Sequence, residues 1–339
     1  DSPLSKMQYG IYVTCVQHMG EICYNITFLF VLDGCLDEEK LKASIEATVA
    51  AHPTLFTRIS LNGQGEPVQN VDESETFTLN VEHEPFDIES EKAQFIQPFD
   101  LYKDRLFRIR LLKNQEHFYL LLDIHHIICD GTTLEVLLAD IEAAYNGKVL
   151  EPEMMTMTEM ALAEAEKMQT PAFEESKQWY AQHFDCSDTF TPFVPDLEGE
   201  KPEKANSVRT LSISKDRVEA FCKANGIYKN TIFVATYSYL LAKYNNEQEA
   251  LFTTVYNGRT DQRFLHSAGI VVKSMPVYVK FTDDTSVIDF LKIGQEQMSG
   301  CREHDIYSYS DAKFDLNLQS NSLFVWNGNM LRATQLMEA

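Results

Sequence analysis

The chain has 339 residues, 44% hydrophobic and 24% charged, the proportions of a folded globular protein with room for two cores. Its formal net charge of -22 argues against nucleic acid and anionic membrane surfaces as partners, because both need clustered cations. No apolar run reaches the roughly 18 residues of a membrane span, no signal-peptide pattern opens the chain, and seven cysteines without CxxC spacing or a zinc pattern read as reduced thiols of a cytoplasmic protein.

Ser5 to Tyr12 has helical character, and Asn25 to Leu32 reads as a strand. Asp37 caps a helix with Leu41, Ile45 and Val49 on one face, and Pro53 ends it. Leu55 to Leu61 is strand-like; past the turn marked by Asn62, Gly63 and Gly65, the stretches Val68 to Val71 and Phe77 to Val81 are expected to pair as short strands. An acidic helical piece near Ile88 to Ile96 precedes a strand from Arg105 to Leu112, which the Asn114-Gln115 turn joins to its successor as a hairpin.

Residues 155 to 183 read as helical with a break at Pro171, and Asp185 to Asn206 as a linker. A strand is expected at Ser207 to Ile213. Ser214 caps a helix that Asn225-Gly226 ends, and Thr231 to Tyr244, apolar around most of its circumference, reads as a buried helix. Leu251 to Tyr256 and Ile270 to Phe281 are strand-like, with Pro276 limiting pairing, and Ser286 opens a helix to about Arg302. Each half mixes strands with covering helices, so two layered α/β lobes are expected.

The chemistry concentrates between His117 and Gly147. Residues 118 to 124, FYLLLDI, form an apolar run of strand length, expected to be buried on both faces of its sheet. The run stops on His125 and His126. Leu134, Leu137, Leu138, Ile141 and Tyr145 then recur at helical spacing, with Thr132 and Glu135 as a capping box and Asn146-Gly147 as the stop. Adjacent histidines on an extended chain point in opposite directions, so they do not grip one metal ion together. One of them should face inward as a structural residue. If alternation continues through residue 126, His126 shares the face of Phe118, Leu120, Leu122 and Ile124. Cys129 reads as a small buried filler.

HHIICDG, His125 to Gly131, resembles the HHxxxDG signature of nonribosomal peptide synthetase condensation domains, chloramphenicol-acetyltransferase-like enzymes and related acyltransferases. Other stretches follow in the family's order. Leu4 to Tyr12 resembles LSxxQxxxW with Tyr12 for the Trp, and His52 to Ile59 resembles HExLRTxF. Asn257-Gly258-Arg259, Gly269 and Val272 to Pro276 resemble the NGR element and the GxxxNxxP strand after it; Tyr307 to Trp326 resembles the late YPF…PLFxVxF region. Phe56 stands where an arginine is usual, with Arg58 two places on, and Lys273 stands where an asparagine is usual.

The resemblance implies two chloramphenicol-acetyltransferase-like lobes, each a mixed sheet with covering helices, arranged as a pseudo-dimer around a central cleft. The corresponding division is 1–184 for the lobe carrying HHIICDG, 185–206 for the linker and 207–339 for a second lobe that reads as truncated. It also implies amide formation between a carrier-bound acyl or peptidyl donor thioester and an aminoacyl acceptor. His126 would be the catalytic residue, either as a general base or as the group that orients the amine; an imidazole, with an ordinary pKa near ~6.5, suits the first role. Asp130 is expected in a buried ion pair shaping the loop, with Arg259 or Arg58 as its partner, and Gly131 permits a close backbone approach. Arg58, Asn257, Gly258, Arg259 and Ser274 are read as facing or bracing the cleft.

No metal and no bound cofactor are implied. Substrates would arrive on the phosphopantetheine arms of upstream and downstream peptidyl carrier proteins, beside an adenylation domain. Alternatives stay open: a stand-alone acyltransferase of the same superfamily that uses a soluble thioester, a related synthetase branch such as an epimerization or heterocyclization domain, the latter disfavoured by the intact His126 and Asp130-Gly131, and a carrier-binding scaffold without catalysis.

Overall fold

The computed structural model describes residues 1–194, 206–328 and 336. Contacts divide it into two compact units: residues 1–169 with 257–272 and 329–339, and residues 170–256 with 273–328.

In the first unit, strand β1 (Ser2–Pro3) leads into helix α1 (Lys6–Gln17), which runs five residues past the expected end at Tyr12 and is capped by a reciprocal Ser5–Gln8 box. Strand β2 (Asn25–Asp33) and helix α2 (Glu38–Ala51) follow, the helix capped by Asp37 as its sequence predicts. A single 3₁₀ turn, Pro53–Phe56, takes the place of the first strand positions, so β3 begins only at Thr57 (Thr57–Leu61). Strand β4 (Pro67–Val71) does not pair with residues 77–81. It lies antiparallel between β1 and β3, and the next strand, β5, shifts to Val81–His83. That shift has a physical cause: β5 aligns parallel to β6 (Phe107–Lys113), with Val81 opposite Leu111, beyond helix α3 (Ile88–Phe95).

The strand that carries the histidine motif, β7 (His117–His125), is central in a four-stranded mixed sheet ordered β2-β7-β6-β5. Asn114 turns the β6–β7 hairpin as expected, its side-chain Oδ1 accepting from the backbone of Glu116 and His117. One face of β7, with Phe118, Leu120 and Leu122, is covered by Leu41 and Ile45 of α2 and by Leu134, Leu138 and Ile141 of α4 (Gly131–Tyr145). The opposite face buries Leu121 against Phe95 of α3. Asp123 is fully buried on β7, where Arg108 Nη1 donates to it at 2.8 Å and Asn25 and Thr27 complete its shell. A charge within an apolar run is thus neutralised by neighbours on the flanking strands. Helix α5 (Met157–Lys167) follows in the first unit.

The second unit starts with α6 (Pro171–His183), the proline at its first turn marking the expected break. The described part of the proposed linker, 185–194, is stitched to the unit: Thr191 Oγ1 exchanges hydrogen bonds with the backbone of Leu251, and Thr189 Oγ1 donates to Glu249 at 2.6 Å. Residues 195–205 of that linker lie outside the described residues. No strand forms at Ser207 to Ile213; apolar residues there such as Val208 and Leu211 stay exposed, because the alternation finds no partner strand. Helices α7 (Lys215–Asn225) and α8 (Lys229–Tyr244) follow, and Gly226 ends α7 at φ 66°.

Strand β8 (Glu249–Tyr256) pairs antiparallel with β9 (Lys273–Lys280), and the short β10 (Leu323–Phe324) joins β8 in parallel, beyond α9 (Val287–Glu303) and α10 (Tyr309–Asp315). Pro276 sits on β9, an outer strand of this sheet, where a missing N–H is tolerated. Val234, Leu241, Phe252, Val277, Leu291 and Met298 are part of its core. A cut at residue 184 would put α6 in the first unit and residues 257–272 in the second; contacts put each the other way. Residues 257–272 join the first unit because side chains of α4 and its flanks hold their backbone.

Candidate active site

Alternation along β7 stops at His125. His126 begins a single 3₁₀ turn, His126–Ile128, so it does not continue the face of Ile124. His125 is the inward histidine, buried, with its Nδ1 accepting from the Ile127 amide at 3.1 Å. That bond leaves the ring proton on Nε2, 3.6 Å from the Cys15 sulfur. Burial, reinforced by the neighbouring His126 and Arg108, pushes its pKa down to about 3, so His125 is neutral and structural.

His126 is half-buried, its backbone N–H donating to Tyr24 O at 2.8 Å and its ring set edge-on to Tyr24. Its Nδ1 is buried and has no hydrogen-bond partner among the described residues. Among the described residues, therefore, no group fixes the tautomer through Nδ1. A buried nitrogen without a partner is uncommon, and a catalytic role is one of the accounts of it. From α1, the buried Gln8 supports the same turn: its Nε2 donates to Ile127 O at 3.1 Å, and its amide exchanges bonds with Gln69.

Asp130 has two tasks. It caps α4 by accepting from Thr133 N at 2.9 Å, so the capping box runs from Asp130 to Thr133 and not from Thr132 to Glu135. It also pairs with Arg259, whose Nη2 lies 3.0 Å from Oδ1, and its Oδ2 accepts from the amides of Val271 and Val272 at 3.1 and 3.3 Å. Both ionised side chains are almost completely buried. Arg259 Nη1 in turn donates to the carbonyls of Phe264 and Ser267. Arg58 is not the partner: it pairs with Glu75, which Arg105 also engages. Gly131 is the first residue of α4.

Asn257-Gly258-Arg259 is a turn, with Asn257 Oδ1 accepting from Arg259 N at 2.9 Å and Gly258 at φ 65°. It places Arg259 toward Asp130. Gly269 has φ 145°, and an added Cβ would lie 2.8 Å from the Phe264 ring and 2.9 Å from the Met157 sulfur. Gly269→Ala is expected to destabilise the fold by about 1–3 kcal/mol; a thermal melt identical to the wild type would contradict this close approach.

Ser274 lies on β9 of the second unit, opposite Val255. Beside it, Lys273 is compensated locally: its Nζ is 3.0 Å from Asp305 Oδ2, which also accepts from Tyr256. Cys129 is fully buried, and burial followed by the charge of Asp130 raises its pKa, which leaves it an unreactive thiol. Among the described residues no group of three or more His, Cys, Asp or Glu side chains is placed to hold a metal ion, and no helix is long and apolar enough to cross a membrane.

In the sequence, Gln8 and His52 fall within motifs that assign them no task, and Thr133 and Glu153 fall within none. Beyond its place in the Asp130 capping box, Thr133 holds Gly269, where Oγ1 donates to the carbonyl at 2.7 Å and accepts from the amide at 3.0 Å.

A family model described as Condensation domain matches residues 1–327. The chain is 26% identical over 337 residues to bacitracin synthase 2 of Bacillus licheniformis and 26% identical over 343 residues to tyrocidine synthase 3 of Brevibacillus parabrevis. Each match covers 95% of this chain but only 13% and 5% of those relatives, so the chain spans a small part of their length. Among solved structures, the first condensation domain of the calcium-dependent antibiotic synthetase, in complex with a substrate analogue, superposes with a TM-score of 0.76 at 18% identity, covering 96% of this chain and 80% of that one. The condensation domain from monacolin K polyketide synthase gives a TM-score of 0.77 at 16% identity, covering 99% and 80%. The chain belongs to the condensation-domain family.

Proposed function

We propose that this chain forms an amide bond between two carrier-bound substrates of a nonribosomal peptide synthetase, with His126 as the catalytic residue. The acceptor amine attacks the donor thioester carbon, the C–N bond forms as the C–S bond breaks, and the phosphopantetheine thiolate leaves. The amine proton passes through the imidazole of His126 and ends on the departing sulfur, or His126 holds the amine by a hydrogen bond while that transfer occurs. The observation that carries this reading is a half-buried imidazole with an unpartnered Nδ1, set on a turn that the buried Asp130–Arg259 pair holds in shape. The fold also accommodates a substrate analogue in one of its solved relatives.

The test mixes the protein with a donor aminoacyl carrier protein and an acceptor aminoacyl carrier protein taken from the flanking modules. Intact-mass spectrometry is expected to show the acceptor carrier gaining the donor acyl group. Transfer from a soluble thioester but not from a carrier would favour the stand-alone acyltransferase, and carrier binding without transfer from either would favour the scaffold.

A further inference from the structure

A second buried network lies in the first unit, away from the histidine turn. The His52 ring is sandwiched by two carboxylates: Nε2 is 2.9 Å from Asp140 Oδ2 on α4, and Nδ1 is 3.3 Å from Glu153 Oε2. The Glu153 side chain is fully buried and that of His52 nearly so, whereas the Asp140 side chain is partly hydrated. A neutral imidazole carries one N–H, so donating to carboxylates from both nitrogens requires the protonated ring.

Glu153 does more than hold His52. Its Oε1 accepts from Thr54 N at 2.7 Å, and its Oε2 accepts from Ala268 N at 2.9 Å. The amides of Gly269, Val271 and Val272 are taken by Thr133 and Asp130. An irregular stretch of backbone is thus held by two carboxylates, Glu153 at Ala268 and Asp130 at Val271 and Val272.

Resting on the reading of the reaction given above, we propose that His52 and Glu153 are positioning residues: they fix residues 257–272, through which Arg259 shapes the His126 turn. A protonated His52 ring is the cation that faces the buried Glu153 side chain. Burial works against that charge, but the hydrogen bonds to Asp140 and Glu153 outweigh it and push the His52 pKa up to about 9. Asp140 from α4 and Glu153 from the connection after it are the charged groups acting on the ring. A folded pKa above the ordinary value of 6.5 means that the stabilisation is complete below about pH 6.5 and is lost as pH rises through about 9.

Hydrogen exchange, corrected for intrinsic rates, reads the segment directly. In the wild type, protection of the amides from Ala268 to Val272 is expected to fall at least about tenfold between pH 7.5 and pH 10, in a step centred near 9. His52→Gln should abolish that step, and Glu153→Ala should give low protection at every pH. Both variants should lower kcat for condensation by about ten- to a hundredfold with little change in KM, as expected for displaced positioning. If Glu153→Ala fails to fold, His52→Gln carries the comparison. An unchanged step in His52→Gln, or lost protection with unchanged kcat in both variants, overturns the proposal. A wild type that shows the exchange step but no condensation would instead refute the reaction assigned above.

Discussion

His126→Ala is expected to slow amide formation by about 10²–10⁴-fold, the range for removing a positioned proton-transfer group, while the protein melts close to the wild type. The second half of that expectation comes from the ring's surroundings. His126 Nδ1 makes no hydrogen bond among the described residues, and the turn is held by backbone and by other side chains: Tyr24 O receives the His126 amide, and Gln8 donates to Ile127 O. Deleting the ring therefore removes little that supports the fold. The measurement is single-turnover transfer between matched carriers beside a calorimetric melt. A folded variant that turns over at the wild-type rate would exclude both roles for the imidazole.

Asp130→Ala has the opposite signature, with loss of folding ahead of any loss of chemistry. One carboxylate receives Thr133 N, Arg259 Nη2 and the amides of Val271 and Val272. Its removal strands a buried guanidinium whose Nε already lacks a partner, and it uncaps α4. Breaking a buried pair from one side costs about 3–5 kcal/mol. At about 2–4 °C per kcal/mol for a unit of this size, the melting temperature should drop by roughly 6–20 °C. Asp130→Asn keeps an acceptor for the helix amide and should lose less. A soluble Asp130→Ala protein with a wild-type melt would show that the pair does not hold the turn.

Much of this was legible locally. The apolar run of β7, its hairpin with β6 and the caps at Asp37, Ser214 and Ser286 follow from side-chain pattern and short-range hydrogen bonding, and the structure has them where the residues put them. What failed was decided at long range. Asp130-x-x-Thr133 and Thr132-x-x-Glu135 both satisfy a cap pattern, and the first wins because Arg259, Val271 and Val272 need its carboxylate. Residues 77–81 alternate as well as β5 does, but β6 offers its edge to Val81–His83. The resemblance singles out His126, but strand alternation does not say which histidine faces inward, since the 3₁₀ turn at His126 leaves no mark in the sequence. Glu153 had no local signal at all: a single acid in an irregular connection gains its task from Ala268, 115 positions away.

The tie between Asp130 and Arg259 spans 129 positions, and it has a consequence for how the molecule comes into being. As the nascent chain leaves the ribosome, the strands up to β7 emerge with their pairing partners in the same stretch, yet the carboxylate at the start of α4 stays without its counter-ion until residue 259 appears. Until then that end of the young domain is an anion facing a gap, which favours water over packing. Completion of the early-made half thus waits on an arginine translated well into the later one, and the interval is a window in which a chaperone has exposed core to recognise.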